Sequence, residues 1–258
     1  MRILVSCGRL AAILIFIGFA SPCRAQTDEI QVYDGAIAPA GTFNLTLHNN
    51  YTPSGSSTPA FQGGIAADKS LNGVAEWAYG VLPWFEAGVY FPLYSLTRDN
   101  SITYNGFKLR ALFVTPDAAK REFFYGVNFE FSFNAKRWDA RRFTSEIRPI
   151  IGWHLKPVDI IINPILDTAY DGIKNLDFAP ATRVAYNLSP AWATAVEEYD
   201  DFGPVRRFNP AGDQAHTLYG VVDHTGKGWE LEAGVGMGLT RSSDRVVLKL
   251  MLSRDLNK

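Results

Sequence analysis

The feature that most constrains this chain is a two-residue period of apolar side chains, recurring in segments of about ten residues from Thr42 to Leu256. Side chains of a strand point alternately to opposite faces, so this period writes one apolar and one polar face. The clearest case is Glu122 to Asn134. There Phe123, Tyr125, Val127, Phe129, Phe131 and Phe133 fall on one face, with Gly126, Asn128, Glu130, Ser132 and Asn134 on the other. One such strand fits a soluble sandwich as well as a barrel. The whole set decides more, because helical spacing is nearly absent and twelve segments repeat the pattern. They are Thr42 to Tyr51, Leu71 to Gly80, Trp84 to Tyr94, Gly106 to Thr115, Glu122 to Asn134, Phe143 to Leu155, Val158 to Thr168, Ala181 to Leu188, Trp192 to Tyr199, Ala215 to Asp223, Trp229 to Leu239 and Arg245 to Leu256. About ten residues is what a tilted strand needs to cross a bilayer. One face of nearly every segment also carries charge, which a dry sandwich core does not accept. The expected fold is therefore all-β, a single closed antiparallel transmembrane β-barrel of about 12 strands over residues 41–258. The seventh segment is the least regular, since Ile160 to Ile162 run on without alternation and Pro164 removes a ladder donor.

The connections agree with a barrel. Odd-numbered ones are mostly long and polar (52–70, 95–105, 135–142, 169–180, 200–214), and even-numbered ones mostly short, such as 81–83, 156–157 and 189–191. That asymmetry places the long loops outside and both termini on the periplasmic side. Trp84, Trp153, Trp192 and Trp229 each lie near an even-numbered turn, as an interfacial aromatic girdle at that rim requires.

The N-terminus carries Arg2 and Arg9, the apolar run Leu10 to Phe19, Pro22, and small residues around Ala25. These are the parts of a cleaved secretory signal peptide over residues 1–25, short for a spanning helix of ~20 residues. Both cysteines, Cys7 and Cys23, lie within it. Export to an outer membrane follows, with outer-membrane lipid, small solutes and the barrel assembly machinery as expected partners. The C-terminal Asp255-Leu256-Asn257-Lys258 departs from the terminal aromatic residue that the assembly machinery usually reads. Residues 26–40 form an extension that either stays periplasmic or folds into the lumen. Net charge is −1 with no basic block, so nucleic acid is not an expected partner.

Three stretches resemble a known family. Asp28-Glu29-Ile30-Gln31-Val32-Tyr33-Asp34 with Gly41-Thr42-Phe43-Asn44-Leu45, then Pro83-Trp84-Phe85-Glu86-Ala87-Gly88, and Gly234-Val235-Gly236-Met237-Gly238 before Ser243-Asp244-Arg245 are similar to outer-membrane barrels associated with the phenol meta-degradation pathway. The similarity runs along most of residues 26–258, on motifs that are barrel-strand patterns. It implies an outer-membrane channel or transporter and brings no catalytic residues.

With the apolar faces toward lipid, the opposite faces place Glu76, Glu86, Lys108, Arg110, Glu130, Glu146, Arg148, Arg183, Glu197, Glu230, Glu232 and Lys249 in the lumen. A charge on the lipid side near the midplane costs ~2–4 kcal/mol, which enforces that side. Pairing about a turn near Ala119 sets Lys108 opposite Glu130 and Arg110 opposite Asn128. Pairing about Trp138 sets Glu130 beside Glu146 and Asn128 beside Arg148, giving an acidic row next to a basic row. Opposed rows select solutes in an open pore, or pair with one another and plug a closed barrel. Gly234, Gly236 and Gly238 alternate within a strand and mark close backbone packing or a bend, not a nucleotide loop. His48 and His154 face inward, and His216 and His224 flank the tenth strand. None stands near a nucleophile motif, and no HxxxH or cysteine pair offers a metal site. The expected function is passive passage of small polar or aromatic solutes, with no enzyme activity, cofactor or metal. A plugged structural or adhesive barrel is the first alternative and an outer-membrane lipid hydrolase the second.

Overall fold

The computed structural model describes residues 28–257, so the signal segment expected over residues 1–25 lies outside the described residues. Twelve staves form one antiparallel sheet: β1 (Phe43–Ser54), β2 (Ser70–Leu82), β3 (Phe85–Leu96), β4 (Ile102–Val114), β5 (Phe123–Asn134), β6 (Phe143–His154), β7 (Val158–Asn163), β8 (Ala181–Ser189), β9 (Trp192–Asp201), β10 (Ala215–Thr225), β11 (Glu230–Gly238) and β12 (Val246–Asp255). Each pairs with its neighbour in sequence, and β1 closes on β12 through a register running from Asn44↔Asp255 to Tyr51↔Leu248. Closure leaves no open edge, which is what a sheet in hydrocarbon needs.

β7 is interrupted where its sequence is irregular. After Asn163, Pro164 and Ile165 leave the ladder, and Leu166–Thr168 resumes pairing with β6. Asp177–Phe178 and Gly203–Pro204 continue β8 and β9 in the same way, so the three short strands lengthen existing staves on the long-loop side.

Alternation sorts the side chains. Leu47, Trp77, Phe91, Leu109, Phe129, Phe131, Ile147, Val184, Val196, Leu218, Val235, Leu248 and Leu250 stand exposed on the outer wall, an apolar belt suited to lipid. His48, Glu76, Tyr90, Arg110, Asn128, Glu130, Arg148, Asn163, Arg183, Glu197, Tyr219 and Lys249 are buried inside. The glycines of β11 supply close packing: a Cβ on Gly236 would lie 2.3 Å from the ring of Tyr219, which turns into the lumen beside it.

The interior differs from a water-filled polar channel in one respect. Toward the short-turn end, Leu112, Val114, Phe124, Ile150 and Ile161 point inward and form an apolar core, joined by Ala181 from the start of β8. On the long-loop side, Ile65 and Trp138 fold over the β2–β3 wall onto Val74, Tyr90 and Leu93, with Ile65 N–H donating to the Arg137 carbonyl at 3.2 Å.

Candidate functional site

An extended chain brought into a barrel must find partners for its own backbone groups. Residues 28–38 do so inside the barrel. Asp28, Glu29, Ile30, Val32, Tyr33 and Ala38 are all buried. Val32 and Tyr33 complete the apolar core of the short-turn end, and Ile30 packs with Ala185, Ala195, Tyr219, Val221 and Val247.

The wall supplies the polar contacts. The Asn163 side chain acts as a strand partner for Tyr33, accepting from its N–H at 2.7 Å and donating to its carbonyl at 3.0 Å. Asn50 donates to the Asp28 carbonyl at 2.9 Å, Arg148 to the Gln31 carbonyl at 2.9 Å, and Lys249 reaches the Ile30 carbonyl at 3.4 Å. Ala38 N–H donates to Glu86 at 2.5 Å. Gly80 makes room for this turn, since a Cβ there would lie 2.2 Å from the Ala38 carbonyl oxygen.

Two charged clusters hold the lumen. In the first, Arg110 pairs with Glu76 at 2.8 Å and with Glu86, and its guanidinium donates to the Tyr33 hydroxyl at 3.2 Å. That hydroxyl is also hydrogen-bonded to the Tyr90 hydroxyl at 2.5 Å and donates to Glu130 at 3.3 Å. Lys108 pairs with Asp28 at 2.9 Å and Glu130 at 3.5 Å, while Arg148 pairs with Glu146 at 2.6 Å and lies 4.4 Å above the Tyr33 ring. In the second, Arg183 meets Glu197, Asp223 and Glu232, and Lys249 meets Glu197 and Glu232.

Of the residues assigned to the lumen from sequence, Glu76, Glu86, Arg110, Glu130, Arg148, Arg183, Glu197 and Lys249 are buried inside. Lys108, Glu146 and Glu232 are half-buried members of the same clusters. Glu230 shares their face but stands exposed, at the end of β11 beside the turn that precedes it.

The register between β4 and β5 corrects the expected pairing. Arg110 lies opposite Glu130, Lys108 opposite Ser132 and Leu112 opposite Asn128. The hairpin turns about Lys120, one residue later than Ala119, because a 3-10 turn over Ala118–Lys120 takes up chain there. Across β5 and β6 the expected pairs Glu130↔Glu146 and Asn128↔Arg148 are present. No acidic row faces a basic row. Arg110, Glu130 and Glu146 share one row instead, with Asn128 and Arg148 in the next, and the inner segment adds Asp28 and Glu29 to them.

The barrel fold is already known in solved structures. An outer membrane channel from Pseudomonas putida F1 superposes with a TM-score of 0.59 at 13% identity, covering 88% of this chain and 100% of that one. The NanC porin gives 0.56 at 11% identity, covering 82% and 100%. The KdgM porin, in complex with disordered oligogalacturonate, gives 0.52 at 10% identity, covering 83% and 99%. No family model and no curated protein matches the chain. The fold is that of an outer-membrane channel barrel.

At the short-turn end, Trp84, Trp192 and Trp229 are exposed, and Trp153 is half-buried, 5.6 Å from the Phe123 ring. Trp77, which sequence reading left aside, lies mid-stave on the outer wall and donates to the Phe91 carbonyl at 2.9 Å. The histidine rings are engaged by Glu76 for His48, Asp159 for His154, Asp200 and Gln214 for His216, and the Ala191 carbonyl for His224.

Sequence reading missed the residues that receive the plug: Asn163, Tyr90, Asn50 and the inward Phe124. Asn163 sits in the break of the seventh segment, and that irregularity was the available signal. Asn50 and Tyr90 follow ordinary alternation, which says nothing of a peptide inside.

Proposed function

We propose that this protein is an outer-membrane channel for small solutes whose resting lumen is closed by residues 28–38. The observation that carries the reading is how the lumen is shut. Closure at the Tyr33 level depends on a separate segment held by hydrogen bonds and ion pairs, while the staves keep a charged, hydrogen-bonding wall around it. Trp84, Trp153, Trp192 and Trp229 then form the girdle at the periplasmic interface, where amphipathic rings are favoured.

The solute class follows from what replaces the plug. Vacating the lumen exposes Tyr90, Tyr199 and Tyr219 next to Arg110, Arg148 and Lys249, with Lys249 5.6 Å and 5.7 Å from the Tyr199 and Tyr219 ring centroids. Aromatic faces beside cations suit a small aromatic ring bearing a phenol or carboxylate, which stacks and accepts charged hydrogen bonds. The resemblance to barrels of the phenol meta-degradation pathway supports the same class. Because the interior performs passage alone, the reading requires no catalytic group.

Flux into liposomes tests it. Protein refolded into vesicles is expected to admit benzoate or phenol derivatives several-fold faster than a neutral disaccharide of greater size, relative to protein-free vesicles. Equal leakage of all solutes at the protein-free rate contradicts the proposal.

A further inference from the structure

We propose that Glu29 is a proton-binding site that locks residues 28–38 in the lumen: the segment seats when this carboxyl is protonated and loosens when it ionises. The consequence for transport rests on the channel reading, while the lock has a test of its own.

The geometry sets Glu29 apart from the other carboxylates. Its side chain is 2% exposed, and neither carboxyl oxygen has a hydrogen-bond partner. The cation beside it, Arg148, stands 3.6 Å away. That guanidinium is already occupied, by Glu146 through Nε at 2.6 Å and Nη2 at 3.0 Å and by the Gln31 carbonyl through Nη1 at 2.9 Å. The other groups whose charges act on Glu29 offer little relief. Glu130 comes from β5, Lys108 from β4 and His48 from β1, and the phenols of Tyr90 on β3 and Tyr33 on the segment itself are neutral neighbours. Lys108 is held by Asp28 and Glu130, and His48 by Glu76 at 2.9 Å.

The cluster as a whole is short of positive charge. Lys108, Arg110 and Arg148 face Asp28, Glu29, Glu76, Glu86, Glu130 and Glu146, and Asp167 lies opposite Glu146. A buried carboxylate without a partner is costly, and neutralisation by a proton is the ordinary remedy. Of the two carboxyls on the segment, Glu29 has the fewer contacts to lose by taking one, since Asp28 is paired with Lys108.

Burial first, then the Glu130 charge, push the Glu29 carboxyl up to about 7, against the lowering effect of Arg148, His48 and Lys108. The sign follows from linkage. A carboxyl that binds its proton more tightly docked than released favours docking fully at pH below 4.5, and this contribution is lost as pH rises toward about 7. A rise from 4.5 to about 7 corresponds to a factor of at most about 300 in the docking equilibrium. The channel is thus shut in acid and released toward neutral and alkaline pH.

The test labels the plug directly. In the full chain with Cys7→Ser, Cys23→Ser and Val32→Cys, refolded in liposomes, the thiol is hidden when the segment is docked. Its maleimide labelling rate is measured from pH 5 to 8 and divided by the rate in the same chain carrying Glu29→Gln, which cancels the thiol's own pH dependence. The ratio is expected to be smallest at pH 5 and to climb by up to about 70-fold as pH approaches 8. A ratio flat across the range overturns the proposal. Should the Gln variant fail to fold, hydrogen exchange at the Val32 and Tyr33 amides of the unsubstituted chain, corrected for base catalysis, must rise over the same window, and constant protection overturns it. Labelling that follows the expected curve without ionic current at any pH leaves the lock standing and removes the channel reading.

Discussion

Lys249→Met is expected to lower the unfolding free energy of the barrel by about 3–5 kcal/mol, the usual cost of removing one partner of a buried ion pair. Lys249 on β12 is wholly buried and joins Glu197 on β9 to Glu232 on β11, the latter at 2.6 Å. It thereby ties together staves that are not all adjacent in the wall. Removing it leaves Glu197, itself wholly buried, with Arg183 as its one cation, and Arg183 already serves Asp223 and Glu232. Urea titration of refolded protein in detergent micelles measures the effect. The double variant Glu197→Gln, Lys249→Met is expected to regain part of the loss, because no buried carboxylate is then stranded at that position. A single-variant loss below about 1 kcal/mol would show that the cluster is not what holds the interior.

Arg148→Met acts on the plug rather than the wall. Arg148 donates to the Gln31 carbonyl, lies over the Tyr33 ring and is the cation nearest Glu29. A hydrogen bond from a charged donor is worth about 1.5–3 kcal/mol and a desolvated cation–π contact up to about 2. Allowing for their overlap, release of the segment is expected to become on the order of 100-fold more frequent. Labelling of a cysteine at position 32 reports this at fixed pH. Unchanged labelling, with the barrel intact by its heat-modified mobility, would mean that Arg148 holds only Glu146.

How much of this was legible in the sequence depended on which physical rule governed each part. Alternation is enforced by the lipid charge by charge, so all twelve staves and the inward set from Glu76 to Lys249 could be read from period alone. Register is weaker information. The β4–β5 hairpin carries a 3-10 turn that nothing in Asp117-Ala118-Ala119-Lys120 announces, and the reading was displaced there. The apolar inward residues Leu112, Phe124, Ile150 and Ile161 were missed for a different reason. They obey the packing needs of Val32 and Tyr33, a segment far away in sequence with no period of its own. The Ile160-Ile161-Ile162-Asn163-Pro164 run looked like a defective strand. It ends at the one side chain that pairs with both backbone groups of Tyr33.

Of the charged residues expected in the lumen, Glu230 stands exposed and the others lie inside, in an arrangement other than opposed rows. Opposed rows would have implied a transverse field across open water. Lys108 and Arg148 instead meet Asp28 and Glu29 of the inner segment, so in the channel reading the question becomes what moves that segment.

Single-channel recording in planar bilayers tests that account most directly, with the full chain compared with one lacking residues 28–38, each checked for folding by far-UV circular dichroism and heat-modified mobility. At pH 5 the full chain is expected to be closed most of the time with brief openings, and the shortened chain to show a steady conductance many times greater. A folded barrel lacking the segment that stays as silent as the full chain would contradict the claim that residues 28–38 are what closes this lumen.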